Sequence, residues 1–354
     1  MSRDADILLI EAETHAGYHS TGRSAAILAQ TYGGKFIHKL TCASQDFFES
    51  PPEGFAEHPL LTPRGLVQIA REDQMDALLR QYEDMSDTGL LRWLDRDELR
   101  TMVPILRDGY ATGGFVNAAA QDIDVAALHQ GYLRQLRAAG GTIATDARVS
   151  HMDHDGADWH VTAGTIGATA PVVINAAGAW AEQIAALAGA APIGMVPMRR
   201  TAITIAPPAG LAPASLPMIV DCEEQFYLKP EAGRLMASPA DETPSAPTDA
   251  QPEELDIAQC VDRIERAFDL SVRRVESKWA GLRSFVPDRA PVVGPDPEVR
   301  GFYWLAAQGG YGVQTAPGLA RYVADALLAR TAHPAIKAAD IDPMGISPAR
   351  LRRG

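Results

Sequence analysis

Two segments near the C-terminus hold the residue types best suited to chemistry. They are Gly281-Leu282-Arg283-Ser284-Phe285 and Gln308-Gly309-Gly310-Tyr311-Gly312-Val313-Gln314-Thr315. The second follows a strand-like run, 302–306, and opens a helix-like one, 319–328. Glycines between strand and helix let a backbone approach a flat ligand, because no Cβ intervenes. The helix N-terminus adds amide donors and a partial positive charge. A ring that becomes anionic on reduction, such as a flavin, suits that field. A plain glycine turn before a capped helix satisfies the same pattern.

The elements that must position these residues alternate along the chain in the manner of a mixed α/β protein. Ile7-Leu8-Leu9-Ile10 is an apolar run of the kind found in a buried parallel strand, and it ends in Glu11. The small-residue segment His19 to Ala26 is expected to turn into a helix. Residues 122–139 carry apolar side chains at helical spacing, with Asp122 or Asp124 as cap and Gly140-Gly141 as stop. Strand-like runs follow at 142–145, 159–162 and 172–174. The segment Asn175 to Trp180 then leads into a helix over 181–187. Residues 195–237 are β-rich, and the Pro-, Ala-, Ser- and Asp-rich stretch 239–252 is linker-like.

An apolar strand ending in an acid is how a Rossmann second strand presents a carboxylate to a ribose diol. The Gly-x-Gly-x-x-Gly turn that should lie about 20 residues before that acid is missing, since ten residues precede Glu11. Read alone, Glu11 is equally a surface acid at a strand end.

Composition narrows the function classes. At 354 residues, 46% apolar and 22% charged, the chain is long enough for a sizeable core and two domains. Its net charge of −13 argues against nucleic acid or an anionic membrane as partner. No apolar run approaches the roughly 20 residues of a membrane span. Residues 1–6 are too acidic and short for a signal peptide, so a cytoplasmic location is expected. Cys42, Cys222 and Cys260 are too widely spaced for a disulfide framework or a zinc site. The nine histidines show no metal-ligand spacing; His151 and His154 read as part of a solvated polar turn, 150–158. No metal site is expected.

Taken together, several segments resemble the D-amino-acid oxidase superfamily of FAD enzymes, and within it the bacterial FAD-dependent catabolic D-arginine dehydrogenases. They are Gly17 to Ala26, Asp122 to Arg134, Asn175 to Trp180, Phe226-Tyr227-Leu228-Lys229-Pro230 and Ala280 to Phe285, in the same order and at similar spacing. The resemblance implies a Rossmann-like FAD-binding domain from residues 1–50, 123–194 and 281–354. A mixed-sheet substrate domain from 51–122 and 195–280 is interleaved with it. It also implies that the first βα unit of the FAD domain is absent, the chain being a shortened version of a family member whose other motifs are intact.

By this resemblance Glu11 holds the adenosine ribose, and Ser20, Thr21, Gly22, Arg23, Ser24 and Ala25 lie along the pyrophosphate and flavin. Val149 gives backbone contacts to the adenine, and Ala177 and Gly178 pass close to the cofactor. Gly310, Tyr311, Gly312, Val313, Gln314 and Thr315 cover the flavin's pyrimidine end, Gly310 being counted with the catalytic residues as well. On the substrate side Arg283 clamps the carboxylate with forked donors. Tyr32 and Tyr227 bound the pocket, and Arg200 is a second substrate-side arginine. The implied reaction oxidises a D-amino acid to an imino acid, which hydrolyses to a 2-oxo acid and ammonia. The electrons pass through FAD to an acceptor such as a quinone.

Two departures from the arginine dehydrogenase pattern bear on substrate choice. Leu66 stands where that family has a glutamate for the cationic side chain, and Ile27 stands for a histidine. A leucine cannot offset the desolvation of a guanidinium. Neutral or apolar D-amino acids are therefore expected to be preferred. Two other classes stay open: a flavoenzyme for glycine, N-methylglycine or proline-like amines, and a non-catalytic remnant.

Overall fold

The computed structural model describes residues 4–352. Its largest element is a nine-stranded mixed sheet whose strands come from residues 66–117 and 196–285. Strand Val196–Ile205 pairs antiparallel with Val275–Phe285 over its whole length. Thr243–Pro244 also pairs with Val196–Ile205, and beyond that strand the order runs Arg234–Ser238, Tyr227–Glu231, Met218–Asp221, Leu66–Ala70, Gly113–Asn117 and Leu91–Leu94. Only Met218–Asp221 and Leu66–Ala70 run parallel within this set.

Side chains alternate across a strand, so each strand contributes to two different cores. Val67, Ile69, Ile203, Ile205, Ile219 and Leu228 face one way, against Leu99 and the buried stripe Ile257, Cys260 and Ile264 of helix Glu254–Ala267. Leu66, Ala202, Met218, Val220, Tyr227 and Met236 face the other way and meet Ile27, Ala29 and Ala120. This second face carries the candidate site.

The remaining half is built from smaller sheets. Leu8–Ile10 pairs parallel with Thr142–Ala144. Phe302–Ala306 pairs parallel with Val173–Asn175 and antiparallel with Val292–Pro295. A meander, Val149–His154, Trp159–Ala163 and Ile166–Ala170, completes the strands. Among the described residues no strand joins the first two sheets, and Leu8 and Val172 are exposed at their margins. The architecture is the expected mixed α/β one.

Helix Val125–Ala138 starts where its sequence signals place it: the Asp124 carboxylate accepts the Ala127 amide at 2.8 Å, and Gly140 takes a left-handed φ of 87° at the exit. Elsewhere the structure departs from local signals. The small-residue turn at 19–26 leads into strand Ile27–Leu28, not into the expected helix. Gly22 N donates to Gly17 O and Ser24 N to Thr21 O, and Ile27–Leu28 then pairs with Gln121–Ile123. A buried partner strand outweighs a weak helical start there. The helix after the glycine loop begins at Gly312, seven residues before the apolar pattern, and carries Pro317 inside it. The neighbouring amide of Gly318 donates to Ser44 Oγ at 2.9 Å, which ties the proline turn to helix Lys35–Glu49. His151 and His154 lie in strand Val149–His154, and the His154 ring meets Trp159, so the expected polar turn is a hairpin. The linker-like stretch is anchored: Thr201 N donates to Asp241, and Arg200 and Arg289 hold Glu242.

Candidate active site

The substrate side is positioned by strand register. Met198 lies opposite Arg283 and Arg200 opposite Gly281 in the antiparallel pair Val196–Ile205 and Val275–Phe285. Alternation puts Arg200 and Arg283 on the same face, as diagonal neighbours within reach of one another's ligands. Arg199 points the other way, to Asp256 at 2.9 Å. The cross-strand glycine opposite Arg200 leaves room above the sheet.

Arg283 sits under the glycine loop. A Cβ on Gly310 would fall 2.6 Å from its Nη1, and one on Gly309 would fall 2.3 Å from the Phe285 ring. Glycine at 309, with its left-handed φ of 57°, lets the loop close over this strand, and a side chain at 310 would have to push the Arg283 guanidinium aside. Gly309 N donates to Ser284 O at 3.1 Å, which fixes that approach. Burial opposes the Arg283 charge, yet Tyr32, Tyr227 and Glu224 around it keep its pKa above the ordinary value. Burial raises the Tyr32 phenol and Glu224 adds to it, while Arg283 and Arg200 pull the other way. The Tyr32 ring meets Tyr311 edge-on at 5.3 Å.

A narrow cleft joins these groups, lined by Tyr32, Arg200, Met218, Val220, Glu224, Phe226, Tyr227 and Ala240. Leu66 (1% exposed) and Ile27 (6%) belong to the same apolar cluster as Tyr227, Met218 and Val220. Leu66 and Ile27 thus pack behind the apolar residues that line the cleft. Arg200 is 5% exposed; its Nη2 donates to Glu242 at 3.0 Å and its Nε has no partner.

Glu224 is the functional candidate that sequence reasoning missed. Nothing in Asp221-Cys222-Glu223-Glu224-Gln225 distinguishes it from an ordinary acidic turn. Its one local signal is its place three residues before Tyr227.

The residues assigned to a cofactor gather along the other half. Glu11 ends strand Leu8–Ile10, its carbonyl accepting the Ala147 amide and its carboxylate the Glu13 amide, both at 2.9 Å; Val149 begins the next strand close by. The loop holding Ser20, Thr21, Gly22, Arg23, Ser24 and Ala25 packs between Trp180 and strand Val275–Phe285: His19 lies 4.6 Å from the Trp180 ring, and Ser20 Oγ donates to Leu282 O at 2.6 Å. Arg23 donates to Ala250 O at 3.0 Å, Ala280 O at 2.8 Å, and the Asp249 carboxylate. Its guanidinium is therefore already engaged within the protein.

Gln314 links the two halves. Its side chain accepts the Ala29 amide at 3.2 Å and donates to Tyr32 O at 3.1 Å, tying the pocket tyrosine to the helix start. Thr315 Oγ1 donates to Tyr311 O, and Val313 packs on a neighbouring cluster around Phe47 and Phe55. Gly312, Val313 and Gln314 form the uncapped first turn of the helix, where amides have no intrahelical acceptor. Gly178, beside Ala177, has a left-handed φ of 55° and open space where a Cβ would be. An open glycine cradle and an uncapped helix N-terminus fit an anionic dinucleotide with a flat ring. Among the described residues no cluster suited to a metal ion occurs.

These observations agree with comparison to known proteins. Residues 2–326 match the family model described as FAD dependent oxidoreductase. The chain belongs to that family, and its cofactor is FAD. It is 25% identical over 357 residues to human mitochondrial dimethylglycine dehydrogenase, covering 91% of this chain and 40% of that protein. The chain thus spans about 40% of the length of that relative. Among solved structures, glycine oxidase from Geobacillus kaustophilus superposes with a TM-score of 0.83 at 20% identity, covering 98% of this chain and 93% of that one. L-proline dehydrogenase from P. horikoshii gives 0.81 at 17% identity, covering 99% and 98%. At these identities the structural matches establish the fold. No helix among the described residues is long and apolar enough to cross a membrane.

Proposed function

We propose that the protein is a dehydrogenase of D-amino acids with neutral or apolar side chains, yielding imino acids that hydrolyse to 2-oxo acids and ammonia. One observation supports the reading: two guanidinium groups and two tyrosines gather beside the apolar cluster that contains Leu66 and Ile27. Bound FAD supplies the two-electron acceptor. Arg283 and Arg200 hold the substrate carboxylate through charge-assisted hydrogen bonds. Tyr32 and Tyr227 close the pocket, and the Tyr32 phenol, raised by burial, is a protonated donor at neutral pH as any tyrosine is. Leu66, Ile27, Met218 and Val220 receive the side chain and exclude water. Gly310 brings the loop backbone over the carboxylate site.

On the cofactor side, Glu11 faces the ribose and Val149 the adenine. The turn Ser20–Ala25, the Ala177-Gly178 cradle and the helix start Gly310–Thr315 follow the rest of the dinucleotide. Arg23 reaches a phosphate only by leaving Asp249. The acceptor is a quinone or dye in preference to oxygen.

A second reading, oxidation of glycine, N-methylglycine or proline-like amines, is favoured by similarity to proteins named for such substrates. Catalytic efficiencies of flavin-loaded protein toward D-leucine, D-methionine, D-phenylalanine, D-arginine, glycine, N-methylglycine and proline separate the two. The first reading requires an apolar D-amino acid to lead, and a leading secondary amine overturns it. Peroxide formed in step with substrate loss under air would overturn the acceptor assignment.

A further inference from the structure

We propose that Glu224 restricts the pocket to substrates with a single carboxylate, by cancelling one of its two positive charges. The proposal rests on Arg200 and Arg283 being the carboxylate site. Glu224 stands at the tip of the turn between strands Met218–Asp221 and Tyr227–Glu231. Its Oε2 lies 3.8 Å from Arg200 Nη2, it lines the same cleft as Tyr32 and Tyr227, and its charge acts on Arg283.

The turn is built to present it. Asp221, with no exposure, accepts the amides of Glu223 at 3.0 Å and Gln225 at 3.2 Å, and Gln74 Nε2 at 3.1 Å. Glu224 itself takes a left-handed φ of 54°, a conformation that disfavours a side chain and suits glycine. Its amide closes the turn on Asp221 O at 2.8 Å.

Charge counting then gives the selectivity. Glu242, the other acid on Arg200, is matched by Arg289, which holds it at 2.8 and 3.0 Å. Arg200 and Glu224 line the cleft and Arg283 acts from behind Tyr32, so of two guanidiniums and one carboxylate a single positive charge is left uncompensated. A monocarboxylate neutralises it. A dicarboxylate brings a second negative charge beside Glu224 and is repelled.

The test is calorimetric binding of two probes, 3-methylbutanoate and succinate, to flavin-saturated wild type, Glu224→Gln and Glu224→Gly. The glycine variant guards against misfolding, since the backbone there favours glycine. Both variants should shift the affinity ratio toward succinate by about tenfold, the scale of one unit-charge interaction in a partly exposed site. An unchanged ratio with both probes still binding overturns the role of Glu224 alone. If neither probe binds wild type, the carboxylate site itself is wrong, and this proposal fails with it.

Discussion

The two halves of the molecule hold their polar groups in different ways. In the half built on the large sheet, Arg200 and Arg283 are set by a ten-residue antiparallel register, and the Arg200 Nε is left without a partner. In the half built from small sheets, Arg23 and Ser20 spend their donors on Asp249, Ala250, Ala280 and Leu282. The parallel strands there belong to two separate small sheets. A large sheet can hold charges at a pocket because a continuous core stands behind it. Loops between small sheets must first hold themselves together.

This contrast can be broken experimentally. The largest effect is expected at Arg283. Arg283→Ala should lower kcat/KM by about 3–5 kcal/mol of transition-state stabilisation, the cost of leaving a buried carboxylate unpaired. Arg283→Lys should recover little, because one ammonium cannot reproduce the fork. Near wild-type efficiency in both, with a normal flavin spectrum, would remove Arg283 from the site.

Gly310→Ala comes next. The new Cβ would lie 2.6 Å from Arg283 Nη1 and must displace it. A displacement on the ångström scale should cost about 100-fold in kcat/KM. Steady-state kinetics that left this variant unaffected would show the loop free to move away from the arginine.

Leu66→Glu tests the apolar floor. It should shift preference toward D-arginine over D-leucine by about 1–3 kcal/mol. It should also lower the melting temperature, since position 66 is 1% exposed and the new charge must be desolvated. A wild type that already favours D-arginine would sink the reading of Leu66.

The smallest effect is expected in the half built from small sheets. Arg23→Ala should cost about 1 kcal/mol of stability through its lost bonds to Ala250 O and Ala280 O. Flavin affinity should fall less than stability. A large loss of flavin affinity with unchanged melting would show that Arg23 leaves Asp249 for a phosphate.

Sequence alone was informative where the determinants are local. The capped helix Val125–Ala138, the strand runs at 8–10, 142–144 and 302–306, and the glycines 309–310 declare themselves through periodicity, caps and φ preference. Tertiary structure decided the rest. That Arg200 and Arg283 share a face depends on the register between strands 80 positions apart in the chain, which no local pattern encodes. That residues 17–26 avoid a helix depends on the strand at Gln121–Ile123. Glu224 enters the site only because the buried Asp221 shapes its turn. Local chemistry is written in neighbouring residues, whereas the meeting of distant charges is written only in the packing that repays their burial.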